Sequence, residues 1–146
     1  MTAAETGAAA RDAGAGALLE IAVRTDADRV AAFAAATCGK EPGEAPAVPL
    51  TYPFCWMTLP EVRPTLERMI GTAGVLPIHE AQSFDYQRPL ALDADYRVAF
   101  TFARTSGPER LTVTAAISTP RGERCATFET VLRLVPLAPA PGSADA

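Results

Sequence analysis

The C-terminal half of the sequence repeats one pattern that few architectures can satisfy. Phe84 and Tyr86 alternate with Ser83, Asp85 and Gln87 until Pro89 stops the run. Tyr96, Val98, Phe100 and Phe102 then alternate with Arg97, Ala99, Thr101 and Ala103. Leu111, Val113, Ala115 and Ile117 repeat the pattern, as do Ala126, Phe128, Thr130, Leu132 and Leu134. A two-residue period places every other side chain on one side of an extended chain, so each stretch predicts a strand with one buried face. Ser106-Gly107-Pro108 and Pro120-Arg121-Gly122 supply turns between them. The pattern predicts a meander of four antiparallel strands, apolar on one face and small and semi-polar on the other.

An apolar sheet face must be covered. Val62, Leu66, Met69 and Ile70 fall at i, i+4, i+7 and i+8, the stripe of an amphipathic helix. Thr58 with Glu61 three residues on reads as a capping box, and Gly71 as the C-terminal stop. Pro60 suits a first turn, but Pro64 removes a donor farther in and predicts a kink or an irregular start. Upstream, Leu19, Ile21 and Val23 alternate as a short strand. Asp26 is placed to cap a short helix carrying Val30 and Phe33 and running to about Thr37. The sequence thus predicts the α+β class: one domain over residues 18–137, with a long central helix from Thr58 to Ile70 wrapped by an antiparallel sheet. Residues 1–17 and 138–146, rich in Ala, Gly and Pro, read as flexible tails.

Charge and cysteine usage exclude several functions. A net charge of -4 without a basic stripe gives phosphates nothing to bind, so nucleic acid is not an expected partner. No apolar run reaches membrane-spanning length, and the N-terminus lacks a basic start and apolar core, so no membrane and a cytoplasmic location are expected. Three cysteines without a C-x-x-C pair suit neither a disulfide framework nor a zinc site. No metal or redox cofactor is expected, because neither a ligand cluster nor a Gly-rich phosphate loop exists.

Between Cys38 and Met57 the density of Pro and Gly excludes a long regular element. The end of this segment is unusual for a loop, because Tyr52, Phe54 and Trp56 are large and apolar. They either close one end of the core or line a pocket for an apolar ligand. His79, the single histidine, must carry any imidazole chemistry, and Glu80 beside it orients a ring nitrogen only if the backbone there is irregular. The competing reading is a structural histidine at a strand start.

Three stretches carry a family resemblance: Val30 to Thr37 followed by Gly39, then Val48-Pro49-Leu50-Thr51-Tyr52-Pro53, then His79-Glu80-Ala81-Gln82-Ser83-Phe84-Asp85-Tyr86-Gln87-Arg88-Pro89-Leu90. Together with the order of elements they resemble the N-terminal domain of MaoC-like dehydratases, which have the hot-dog fold. The resemblance implies a hydratase or dehydratase acting on trans-2-enoyl thioesters of coenzyme A or acyl carrier protein. It also implies pairing with an identical or related hot-dog subunit. Such chemistry uses an oxyanion hole at a helix N-terminus and a positioned base working on one water. The resemblance places the thioester carbonyl at the helix N-terminus, Thr58 to Glu61, with Thr58 and Leu59 as substrate-binding residues approached past Tyr52, Phe54 and Trp56. Active relatives carry Asp and His in a G-D-x-N-P-x-H motif after the first helix. Here the matching stretch has Lys40 and Ala45 at those positions, which implies a substrate-binding half completed by a catalytic partner and leaves His79 and Glu80 as this chain's own candidates. A non-catalytic acyl-binding protein and a hot-dog thioesterase using Glu61 are the alternatives.

Overall fold

The computed structural model describes residues 11–13, 16–38, 47–71 and 74–138. Strand β1 (Arg11–Ala13) turns into β2 (Gly16–Arg24), and α1 (Ala27–Cys38) follows. A 3₁₀ helix (Tyr52–Thr58) leads to α2 (Arg63–Ile70). Four long strands complete the chain: β3 (Val75–Tyr86), β4 (Asp95–Thr105), β5 (Arg110–Ser118) and β6 (Arg124–Pro136). Among the described residues no helix is long and apolar enough to cross a membrane.

All strands join one antiparallel sheet in the order β1-β2-β4-β5-β6-β3. The meander holds for β4, β5 and β6, but β3 does not pair with β4 as the sequence predicts. It crosses to the far side and pairs with β6, Phe84 opposite Phe128 and Gln82 opposite Thr130. The vacated side of β4 takes β2, with Leu19 opposite Phe100 and Val23 opposite Tyr96. The N-terminal tail expected up to residue 17 is shortened too, since Arg11 to Ala13 pair with Leu18 to Gly16.

The faces are those the alternation predicts. Val98, Phe100, Phe102, Leu111, Val113, Ala115, Ile117 and Phe128 are buried on one side, while Thr101, Glu129 and Arg97 face out. Val62, at the N-cap of α2, is fully buried, and Leu66, Met69 and Ile70 of α2 pack against the same core. The covering helix is shorter than expected, eight residues instead of a continuous run from Thr58. Pro60 and Pro64 cannot donate backbone hydrogen bonds, so the chain passes from the 3₁₀ helix through a turn before α2 begins. Gly71 ends α2 as expected, at a φ of 105° that a side chain would resist. Arg104 from β4, held by Glu109 at 2.9 Å, reaches the terminal carbonyls of Met69 and Ile70.

The cap of α1 also differs from the sequence reading. Asp26 pairs with Arg24 and Arg29, and Asp93, from the β3–β4 connection, accepts the Ala27 N–H at 3.0 Å. Thr25, fully buried, bonds Ala91 and Ala94 of the same connection. The Tyr-x-Arg-Pro-Leu stretch from Tyr86 to Leu90 serves as a clasp. Tyr86 donates to the Leu50 carbonyl at 2.6 Å, and Arg88 reaches Glu123 at 2.8 Å and Cys125 Sγ at 3.3 Å.

Burial pushes the Tyr86 hydroxyl up to about 12. The folded state thus holds this proton more tightly than the unfolded chain, whose tyrosines titrate near 10. The stabilisation is complete below pH ~10 and is lost as pH rises through about 12. Urea unfolding midpoints are expected to fall across that window in the wild type and by less in Tyr86→Phe. Equal losses in the two proteins would assign the alkaline step to another group.

Candidate functional site

The 3₁₀ helix divides the predicted site residues between two places. With about three residues per turn, positions three apart share a side. Tyr52, Cys55 and Trp56, followed by Leu59, turn toward α1, and Phe54 turns toward β3.

On the α1 side these residues, with Val23, Phe33, Arg29 and Glu61, line a cavity of about 330 Å³ that opens to solvent. The Tyr52 ring meets Phe33 edge-on at 5.4 Å and Trp56 edge-on at 5.9 Å. Tyr52 and Trp56 are each 4% exposed. Burial raises the pKa of Tyr52 and of Cys55, so the Cys55 thiol stays protonated and unreactive at neutral pH. Arg24, Asp26, Arg29 and Glu61 form the charged rim. Thr58, expected beside the substrate, is exposed and donates to the Cys55 carbonyl at 2.9 Å.

On the other side Phe54 stacks on His79, ring centroids 5.4 Å apart and planes 10° from parallel. His79 Nε2 donates to Gln82 Oε1 at 3.2 Å, and the same oxygen accepts from Thr130 at 2.6 Å. Thr130 is fully buried and also touches Met57 Sδ at 3.2 Å. The other end of the Gln82 amide, Nε2, is buried without a partner. Sequence reasoning missed Gln82 and Thr130. The available signal was a polar Gln on the inward side of a strand whose next inward residues are Phe84 and Tyr86.

A β-bulge explains why His79 and Glu80 do not meet. His79 pairs with Leu132 and Ala81 with Val131, leaving Glu80 as the extra residue. The extra step brings His79 and Gln82 to the inner face and sends Glu80 to the outer one. There Arg110 grips it through Nε at 2.5 Å and Nη2 at 2.9 Å, with Arg133 at 3.8 Å. The hydrogen bonds from Arg110 hold the Glu80 carboxyl below the usual carboxylate range. The backbone is irregular at this point, the condition on which a His79–Glu80 pairing depended, but the irregularity separates the two side chains.

The oxyanion hole expected at Thr58 to Glu61 is also altered. The Leu59 N–H donates to the Trp56 carbonyl at 3.3 Å, and those of Val62 and Arg63 both donate to the Leu59 carbonyl, at 2.9 and 3.0 Å. The capping box does not form, because α2 begins beyond it with Val62 as its N-cap and no side-chain cap. Glu61 is instead left at the cavity edge. The Gly39 to Ala45 motif stretch lies outside the described residues. Among the described residues no three His, Cys, Asp or Glu side chains gather as a metal site.

A helix laid on the apolar face of this sheet, with the edge strand contributed out of sequence, defines the hot-dog fold. Solved hot-dog structures are similar to the chain. A HadBC (3R-hydroxyacyl-ACP dehydratase) complex from Mycobacterium tuberculosis aligns with a TM-score of 0.64 and 14% identity, over 82% of this chain and 96% of that one. An (R)-hydratase from A. caviae involved in PHA biosynthesis aligns with a TM-score of 0.58 and 21% identity, over 86% and 99%. A hypothetical thioesterase with coenzyme A from Streptococcus pneumoniae aligns with a TM-score of 0.53 and 9% identity, over 90% and 88%. The sequence matches no family model and no curated protein. At these identities the likeness establishes the fold, which hydratases, dehydratases and thioesterases share.

Proposed function

We propose that the chain is a MaoC-like hydratase/dehydratase subunit, a cytoplasmic hot-dog protein that binds acyl thioesters of coenzyme A or acyl carrier protein. It holds the acyl group while a second hot-dog subunit completes the acid–base machinery. The observation that carries this reading is the cleft of about 330 Å³ lined by the apolar side chains of Phe33, Tyr52, Trp56 and Leu59 beneath a charged rim. The reaction adds water across the C2–C3 double bond: a base takes the water proton, hydroxide attacks C3, and C2 is protonated. In this chain Glu80 is held by Arg110, and the N–H groups of Leu59, Val62 and Arg63 are bonded to backbone. That arrangement supports division of labour with a partner. His79 lies on edge strand β3, across the 3₁₀ helix from the cavity, where it stacks on Phe54 and bonds Gln82, so in this reading the imidazole that works on the bound acyl group comes from the partner. Glu80 serves by fixing the bulge that turns His79 inward.

Crotonyl-CoA hydration, followed as loss of enoyl absorbance, is expected to be absent for the chain alone. It should appear when a hot-dog subunit with an intact G-D-x-N-P-x-H motif is added. In the mixed enzyme Trp56→Ala should raise KM by about tenfold or more with a smaller effect on kcat, because it removes ground-state contact. Full turnover by the isolated chain would refute the division of labour. A thioesterase reading is favoured by one observation, the release of Glu61 from capping to the cavity edge. Hydrolysis of saturated acyl-CoA that disappears in Glu61→Gln would establish it in place of the hydratase.

A further inference from the structure

The protein has three tyrosines, and their hydroxyls differ in one respect. Tyr86 donates to the Leu50 carbonyl and Tyr96 accepts from the Ala91 N–H. Tyr52, at 4% exposed, has no hydrogen-bond partner among the described residues. The ring is buried, but the hydroxyl is not among the fully buried unpaired polar atoms of the described residues, which are Gln82 Nε2 and Arg133 Nε, so in the empty protein it is left to bond water. The Tyr52 ring is gripped edge-on by Phe33 and Trp56, so it is not free to swing toward a distant acceptor. The cavity is the space beside it, and the groups whose charges its hydroxyl feels, Cys55, Arg29 and Asp26, are all cavity residues. The rim carries two cations and two anions, with Arg24 held by Asp26 and Asp95 and Arg29 near Asp26, so no net field selects a charged ligand group.

We infer that Tyr52 is a specificity-determining residue, and that the cavity takes a short acyl group bearing a neutral oxygen, a hydroxyl or keto group, which the Tyr52 hydroxyl hydrogen-bonds. The inference rests on the acyl-binding reading above and names its substrate class. A plain alkyl chain would expel water from the cavity and leave the hydroxyl unpaired, whereas an oxygenated chain replaces the lost bond. A volume near 330 Å³ holds about eleven water-sized groups at ~30 Å³ each, enough for a six-carbon chain with a terminal oxygen.

Trp56 is the single tryptophan and a cavity wall, so its fluorescence reports occupancy directly. Hexanoyl-CoA and 6-hydroxyhexanoyl-CoA are titrated into the full chain and into Tyr52→Phe, with calorimetry in parallel. The wild type is expected to bind the hydroxylated ligand about tenfold more tightly, and Tyr52→Phe to lose that preference while keeping the wild-type melting profile. Equal binding of the two ligands by the wild type, or a preference that survives in Tyr52→Phe, overturns the inference and leaves the acyl-binding reading standing. Binding of neither ligand by either method overturns both.

Discussion

Phe128→Ala is expected to cost about 3–5 kcal/mol of stability, a large part of the ~5–15 kcal/mol that holds a domain together. Phe128 is 1% exposed at the centre of the sheet. Its ring lies 5.8 Å from Phe84 of the edge strand and 6.2 Å from Phe100 of β4. The truncated side chain leaves a void whose walls belong to strands fixed on both sides, so the site cannot collapse to fill it. Thermal unfolding by circular dichroism should show a fall in Tm of roughly 10–20 °C. The neighbouring exposed residue supplies the control: Glu129→Gln points to the other face and should change stability by less than about 0.5 kcal/mol. Comparable losses from both substitutions would mean that the face assignment of β6 is wrong.

The second large effect concerns association. β3 pairs only with β6 and ends the sheet, and its Leu76 and Ile78 are 46% and 45% exposed. A long edge strand with unpaired backbone groups and exposed apolar side chains is a template for another strand. Sheet continuation through β3 is the arrangement the proposed function requires. Light scattering should find the wild type as a dimer or larger, and the double substitution Leu76→Lys with Ile78→Lys as a folded monomer, its self-affinity reduced by about 100-fold or more. A monodisperse wild-type monomer would end the idea that this edge pairs with a second copy of the chain.

Much of this architecture was written locally. Alternation from Tyr96 to Phe102 and from Ala126 to Leu134 named the buried face because the two-residue period depends only on neighbours along the chain. It could not name the partner of a strand. That β3 crosses to β6 is decided by Phe84 meeting Phe128 and Gln82 meeting Thr130, contacts between residues far apart in sequence. The same limit hid the cap of α1, which comes from Asp93. It also hid the Glu80 bulge, whose outward side chain is held by an arginine on β5. At the site, the aromatic segment was legible as an apolar cluster that either closes the core or lines a pocket. Its division by the 3₁₀ helix was not, because Tyr52, Phe54 and Trp56 read as one apolar cluster until the turn that separates them is known. Pro60 and Pro64 announced an irregular helix start, but not how far α2 would retreat.

The crossing of β3 also orders events on the ribosome. β3 ends at Tyr86 and the strand that receives it begins at Arg124, so roughly forty residues must be synthesised between them. At 5–20 residues per second that is a wait of about 2–8 s. During this interval Leu76, Ile78 and Phe84 have no sheet to join, and β2 and β4 can pair without them. The edge strand, which the proposed function assigns to intersubunit contact, therefore waits longest for shelter within its own chain. A subunit already present during synthesis would meet it at its stickiest, which favours making the two chains together over mixing them after purification.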